Sequence, residues 1–336
     1  MKFSKYLVLA AFTTLSLTAC QKEDQKQPQE VVAKPAKNYS VPLFRGDLAY
    51  ASVEKQVNFG PRVPNSEAHK ACAAWMVGEF KELGWDVIEQ KFDAVAFTGD
   101  VLASNNIIAQ YNPEAKRRIL FAAHWDTRPF ADSPLSTKDQ KKPIDGADDG
   151  ASGVGVLMEL ASVISQNPID EADLGIDIIL FDSEDYGDSS GKSENSYCLG
   201  AQYWGKNKHK EGYNAEFGIL LDMVGTENPR FTKEKVSMYF ASNVMNKVWK
   251  LAQDIGLGAK FVNDSSSEII DDHYYVNTIA RIPMIDIINR PVQTQTGFGH
   301  YWHTHDDNID IISKQTLKEV GQLITAVTYR TASNKF

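Results

Sequence analysis

The chain is short of cysteine, of basic excess and of long apolar runs. Only three cysteines occur in 336 residues, too few for a disulfide scaffold, so the fold has to rest on its own core. Asp and Glu outnumber Lys and Arg by 44 to 35, a net charge of -9. That balance argues against a nucleic-acid binder, which needs a basic face, and disfavours loose docking on anionic lipid. No apolar stretch is long enough to favour a permanent membrane span, and no repeat period marks a solenoid or propeller. With 43% hydrophobic and 24% charged residues, the composition is that of a globular protein, and the length allows one large α/β domain or two smaller ones.

What is present begins with an export segment. Lys2 and Lys5 precede the short apolar run YLVLAAFTTLSLTA, which ends in LTAC at Cys20. This arrangement resembles a bacterial lipobox. The resemblance implies cleavage before Cys20, acylation of its thiol and anchoring in a lipid bilayer of the bacterial cell envelope, facing the periplasm or the cell surface. Cleavage near Ala19 to release a soluble periplasmic protein is the alternative. Residues 21–40 are polar and mixed in charge and read as a flexible tether. Its start, Lys22-Glu23-Asp24, resembles a surface-export signal of some lipoproteins. Residues 41–336 carry no linker and are expected to form one domain.

Within that body, apolar runs alternate with amphipathic stretches. Helices are expected over 66–83, 152–165, 244–256 and 314–330, and strands over 101–111, 117–123, 176–181, 217–224 and 281–288. Buried strands alternating with helices predict a single-domain α/β/α sandwich around a mostly parallel, mixed central β-sheet. Ligands in such folds sit beyond the carboxyl ends of the strands.

Chemically capable residues follow the expected strands closely. His124-Trp125-Asp126 follows RILFAA; Asp182, Glu184 and Asp185 follow IDIILF; Asp222 ends FGILLD. GADDGASG, with Asp148 and Asp149, opens a helix, and GHYWHTHDDN brings His300, His303 and His305. Converging carboxylates repel one another and raise each other's pKa unless a cation neutralises them. A divalent metal is the economical explanation, and imidazole with carboxylate suits zinc.

The order HWD, GADDGASG, SED, LLDMVG, WHTHDD resembles the zinc aminopeptidase superfamily, peptidase family M28, over nearly the whole mature chain. That resemblance implies a metal site drawn from His124, Asp149, Glu184 with Asp185, Asp222 and His303. Within the superfamily, Asp271-Asp272-His273 and Trp302-His303 are similar to the glutaminyl cyclase branch, which uses one zinc. The cyclase resemblance implies a single Zn2+ held by Asp149, Asp185 and His303. Glu184, Asp222 and Asp271 become catalytic acids, and Trp302 and Tyr197 line the substrate. The implied substrates are peptides or proteins with N-terminal glutamine, and a monomer is expected. A two-zinc aminopeptidase, with a second metal at His124 and Asp222, is the alternative, and a non-catalytic peptide-binding lipoprotein a third reading. Asp272 and His273 are expected to be structural. His124 and Asp126 are read as remnants of a second metal site, and Asp148, Asp306 and Asp307 as solvated or supporting residues.

Overall fold

The computed structural model describes residues 37–170 and 173–336, so the export segment and most of the tether lie outside the described residues. Eight strands are present: β1 (Asp86–Val95), β2 (Val101–Tyr111), β3 (Arg118–His124), β4 (Gly175–Phe181), β5 (Gly218–Asp222), β6 (Phe231–Glu234), β7 (Phe261–Ser266) and β8 (Met284–Ile288). Seven α-helices accompany them: α1 (Gly46–Asn58), α2 (Glu67–Glu82), α3 (Ala151–Gln166), α4 (Leu199–Lys206), α5 (Lys235–Asp254), α6 (Asp272–Tyr275) and α7 (Lys314–Ala332). One π-helical turn, Val276–Ala280, continues α6.

Six strands form the central sheet in the order β1-β2-β4-β3-β5-β8. The four strands from β4 to β8 are parallel, and β1 and β2 add an antiparallel hairpin on one side. Side chains alternate across a strand, and β3 shows why its run is apolar throughout. Ile119, Phe121 and Ala123 enter a core shared with α1, α2, α3, α5 and α7. Leu120 and Ala122 enter the opposite core, beneath α4 and the α6 region. A strand covered on both faces has no solvent side to make polar.

Two glycines set the position of α3 against the sheet. A Cβ on Gly153 would lie 2.2 Å from Leu221 O and 2.9 Å from Ala123 Cβ, so only glycine lets α3 approach β3 and β5 this closely. A Cβ on Gly150 would meet His124 O at 2.4 Å and its ring at 2.6 Å. GADDGASG is therefore a packing motif that presses Asp149 against the end of β3.

The helix expected at 66–83 is α2, opened by Ser66, whose side chain accepts the His69 N–H. The chain joins the body ahead of residue 41: the Tyr39 hydroxyl donates to Asp173 at 2.7 Å. Strand β1 escapes the sequence reading because it lies at the sheet edge, with mostly exposed or half-buried side chains. Among the described residues, no helix is long and apolar enough to cross a membrane.

Candidate metal and acid site

The ends of the parallel strands and the mouth of α3 bring the acids together. β3 delivers His124 and β5 delivers Asp222 as their last residues. The turn after β4 carries Glu184 and Asp185, the turn before α3 carries Asp149, and Asp271 is the N-cap residue of α6. His303 comes from the loop between β8 and α7, at a positive φ of 53°.

Donor atoms of Asp149, Asp185 and His303 all lie within 4.8 Å of one another. His303 Nε2 is 3.1 Å from Asp185 Oδ1 and 3.7 Å from Asp149 Oδ2. Asp185 Oδ2 is buried and has no hydrogen-bond partner, which is costly unless a cation takes it. Two carboxylates and an imidazole with room for a further ligand fit a catalytic zinc. His303 Nδ1 faces Asp132 Oδ1 at 3.5 Å, the carboxylate–histidine arrangement that orients a metal-binding ring. Arg128 holds Asp132 in turn, with its Nη2 2.7 Å from Asp132 Oδ2, and also donates to the carbonyls of Asp185 and Gly187.

A second group overlaps the first through Asp149. His124 Nε2 is 3.0 Å from Asp149 Oδ1 and 3.4 Å from Asp222 Oδ1. Burial opposes charge on His124, but Asp126, Asp149 and Asp222 outweigh it and raise its pKa well above the ordinary imidazole value. Asp126 also accepts the backbone N–H groups of Glu184 and Asp185 at 3.0 and 3.1 Å, which fixes the acidic turn. Burial likewise opposes charge on His303, yet Asp185 and Asp132 push it up to about 9.

Glu184 stands beside this pair. Its carboxylate, Asp271 and the Cys198 thiol have atoms within 4.8 Å of one another. Burial pushes Glu184 well above the ordinary carboxylate range; Asp185, Asp271 and Asp272 add to the push and His124 opposes it. Burial also raises Asp222, opposed by His124 and reinforced by Asp271 and Asp149, up to about 8. The acids cannot all be ionised together, and burial raises Asp271 as well.

A cavity of about 290 Å³ opens over these groups. Trp302 and Tyr197 both line it, as do Ile269, Ile270, Phe298 and Met223. Trp302 also stacks on the His303 ring, with centroids 3.7 Å apart. Tyr197 lies under the Arg128 guanidinium, 5.3 Å from its centre.

The remaining acids and histidines take the following places. Of the two roles expected for Asp148 and Asp307, solvated or supporting, they take the supporting one; both are fully buried. Asp307 accepts the N–H groups of Asp148 and Asp149, and Asp148 accepts from Gly225 N and the Tyr301 hydroxyl. They hold the loop that carries Asp149. Asp306 is exposed, and His300 and His305 do not join the site. His273 sits 3.1 Å from Glu234, away from the cavity.

Sequence reasoning missed Asp286, Cys198 and Glu234. Asp286 lies inside the apolar run of β8, with both carboxylate oxygens buried and unpartnered. Its neighbours Ile285 and Ile287 enter one core, and alternation turns Asp286 to the opposite face, toward Asp271 and His273. A lone acid in a strand that otherwise reads as wholly apolar was the available signal.

A parallel sheet whose carboxyl edge gathers two acids and an imidazole, with a further acid beside them, is the arrangement of a metal-dependent enzyme. The chain belongs to peptidase family M28, whose model matches residues 106–328. A solved glutaminyl cyclase of Bacteroides thetaiotaomicron, bound to N-acetylhistamine, is 48% identical, with a TM-score of 0.83 over 86% of this chain and 99% of that one. A Zn-dependent exopeptidase from Parabacteroides distasonis is 46% identical, with a TM-score of 0.84 over the same shares. The Drosophila melanogaster glutaminyl-peptide cyclotransferase is 26% identical over 285 residues, 79% of this chain and 75% of its own length.

Proposed function

We infer that this chain is a glutaminyl-peptide cyclotransferase, which closes an N-terminal glutamine to pyroglutamate and releases ammonia. The observation that carries this reading is the third acid, Asp271, buried within 4.8 Å of Glu184. Peptide hydrolysis needs a metal-activated water and one base. Ring closure needs no water, but it needs a proton moved from the substrate's own amine to its own departing amide nitrogen.

The α-amine and γ-carboxamide belong to one residue, so the substrate supplies most of the proximity. A zinc ion at Asp149, Asp185 and His303 supplies polarisation of the γ-carbonyl and stabilisation of its oxyanion when bound. Glu184, whose basicity is raised by burial and by its acidic neighbours, takes the proton from the amine and returns it to the leaving ammonia. Asp222 and Asp271 hold a shared proton and the substrate's amine. Trp302, Phe298 and Ile269 give the glutamine methylenes an apolar wall, and Tyr197 closes the other side. The small cavity suits one residue-sized group, with the rest of the peptide outside.

We propose one zinc per chain. In the second group, a protonated His124 stands between Asp149 and Asp222 and does the work of a second cation. The aminopeptidase alternative retains every donor it needs, and the similarity to a Zn-dependent exopeptidase keeps it in play. Paired assays separate the two. Ammonia release from a glutaminyl substrate with no release of leucine from leucyl substrates supports the cyclase; the reverse pattern overturns it.

We also propose that the chain is anchored in the bacterial envelope through acylated Cys20, a reading the LTAC motif supports. Palmitate labelling of the full chain that disappears in Cys20→Ala supports the anchor; labelling that persists sinks it.

A further inference from the structure

Cys198 is a buried free thiol that the mechanism above does not use. It occupies the residue before α4, in the left-handed region at φ 58° and ψ 36°. The chain accepts that conformation in a residue with a Cβ, which is uncommon, and two contacts to one residue accompany it. The Cys198 backbone N–H donates to the Glu184 carbonyl at 2.8 Å. The Cys198 thiol donates to the Glu184 carboxylate at Oε1, with Sγ 3.2 Å away. Leu199 N–H adds a bond to the Ser183 carbonyl at 3.1 Å. The start of α4 is thus clamped along the turn that carries the base.

We propose that Cys198 is a positioning residue for ring closure: its S–H pins Oε1 of Glu184, so that Oε2 is the oxygen presented to the substrate's amine. This inference rests on the cyclotransferase reading. Three observations support it. Cys198 is fully buried whereas Glu184 is partly open to the cavity, so the thiol approaches the carboxylate from behind. Among the described residues, the thiol is the side chain that hydrogen-bonds the Glu184 carboxylate, whereas Asp126 accepts only the Glu184 backbone N–H. The nearby Asp271, whose Oδ2 is buried without a partner, has a carboxylate oxygen within 4.8 Å of both the Glu184 carboxylate and the thiol. Burial among Glu184, Asp272 and Asp271 also keeps the sulfur protonated, which preserves it as a donor.

A carboxylate carried on three rotatable bonds loses productive geometry when its anchor goes. Truncation to Cys198→Ala keeps the backbone requirement at φ 58° unchanged and removes only the donor. We expect kcat to fall about tenfold to a hundredfold, with KM and zinc content held. Cys198→Ser, which retains a hydroxyl donor at the same branch, should recover most of the loss. An unchanged kcat in Cys198→Ala overturns the proposal, and so does equal impairment of the alanine and serine variants, which would mean that the sulfur's volume is what matters.

If Cys198→Ala fails to fold, the contact is read from the other side. The S–H stretching band in the infrared is compared between the wild-type chain and Glu184→Ala. A shift of one thiol band toward a free S–H is expected; identical bands overturn the contact. A wild-type chain with no cyclising activity would refute the cyclotransferase reading, while the infrared comparison would still report on the contact itself.

Discussion

Asp271→Asn is the most informative single substitution. Asparagine keeps the side-chain oxygen that accepts the Asp272 N–H at the start of α6, so the helix cap survives and only the charge is lost. Glu184 and Asp271 approach within 4.8 Å. Two unit charges at that distance interact by ~3.5 kcal/mol at an effective dielectric of about 20, which sets the scale of what Asp271 adds to the basicity of Glu184. About half of such a change is felt in a proton-transfer transition state, roughly 1.7 kcal/mol. A lost hydrogen bond to a charged amine adds about 1.5–3 kcal/mol. Together these predict a fall in kcat of between ~200- and ~3000-fold.

The assay is continuous ammonia release from a glutaminyl peptide, with zinc measured on the same sample. Zinc content should stay at the wild-type value, because Asp271 lies outside the group formed by Asp149, Asp185 and His303. The direction of the pH shift is also fixed. With one negative neighbour gone, Glu184 ionises more readily, so the acidic limb of the activity profile moves to lower pH. Turnover within a few-fold of wild type, or a limb that moves to higher pH, refutes the role given to Asp271.

Three further outcomes follow from the same geometry. Asp132→Asn loosens the His303 ring and should weaken zinc binding about 10- to 100-fold, with activity recovered by added zinc; unchanged affinity by competitive chelation would detach Asp132 from the metal. In the chelated protein, His303 has a folded pKa of about 9 against an ordinary 6.5, so its contribution to stability is complete below pH 6.5 and is lost as pH rises through 9. That amounts to on the order of 3 kcal/mol. The melting temperature of the chelated form should therefore decline across that window while the zinc form, whose imidazole is held neutral, lacks this decline; parallel curves would remove His303 from the ligand set. Far from the site, Arg118 pairs with buried Asp177 at 2.6 Å, and Arg118→Met should cost about 3–5 kcal/mol in denaturant unfolding by removing the only cation paired with that acid among the described residues, which keeps just the neutral donors Gln110 and Tyr213, with kcat of the folded enzyme unchanged.

Much of the fold was legible because burial leaves a plain mark on the chain. IDIILF and RILFAA are apolar at every position since both faces of β4 and β3 are covered, and VLASNNIIAQY matches β2 in its bounds. β1 was not legible: an edge strand has no continuous apolar run to show. β6 and β7 form a separate small sheet of four and six residues, too short and too polar to stand out.

The acids of the site were legible by position, each coming directly after a strand or before a helix. Their supports were not. The sequence left Asp148 and Asp307 open between solvated and supporting roles, and only the fold turns them inward, where they satisfy backbone N–H groups that would otherwise be buried and unpaired. Cys198 and Asp286 act on residues 14 and 15 positions away, Glu184 and Asp271, and no local pattern connects them. Glu234, which anchors His273, is 39 residues away from it. Tertiary juxtapositions of this kind have no periodicity to read.

Ring closure and peptide cleavage by this member of family M28 leave different products, which mass spectrometry of a single glutaminyl peptide resolves after incubation with the zinc-loaded protein. Ring closure gives one product, the same peptide lighter by one ammonia and blocked at its N-terminus, with no free glutamine, and this is the expected result. Free glutamine and a peptide shortened by one residue would contradict it.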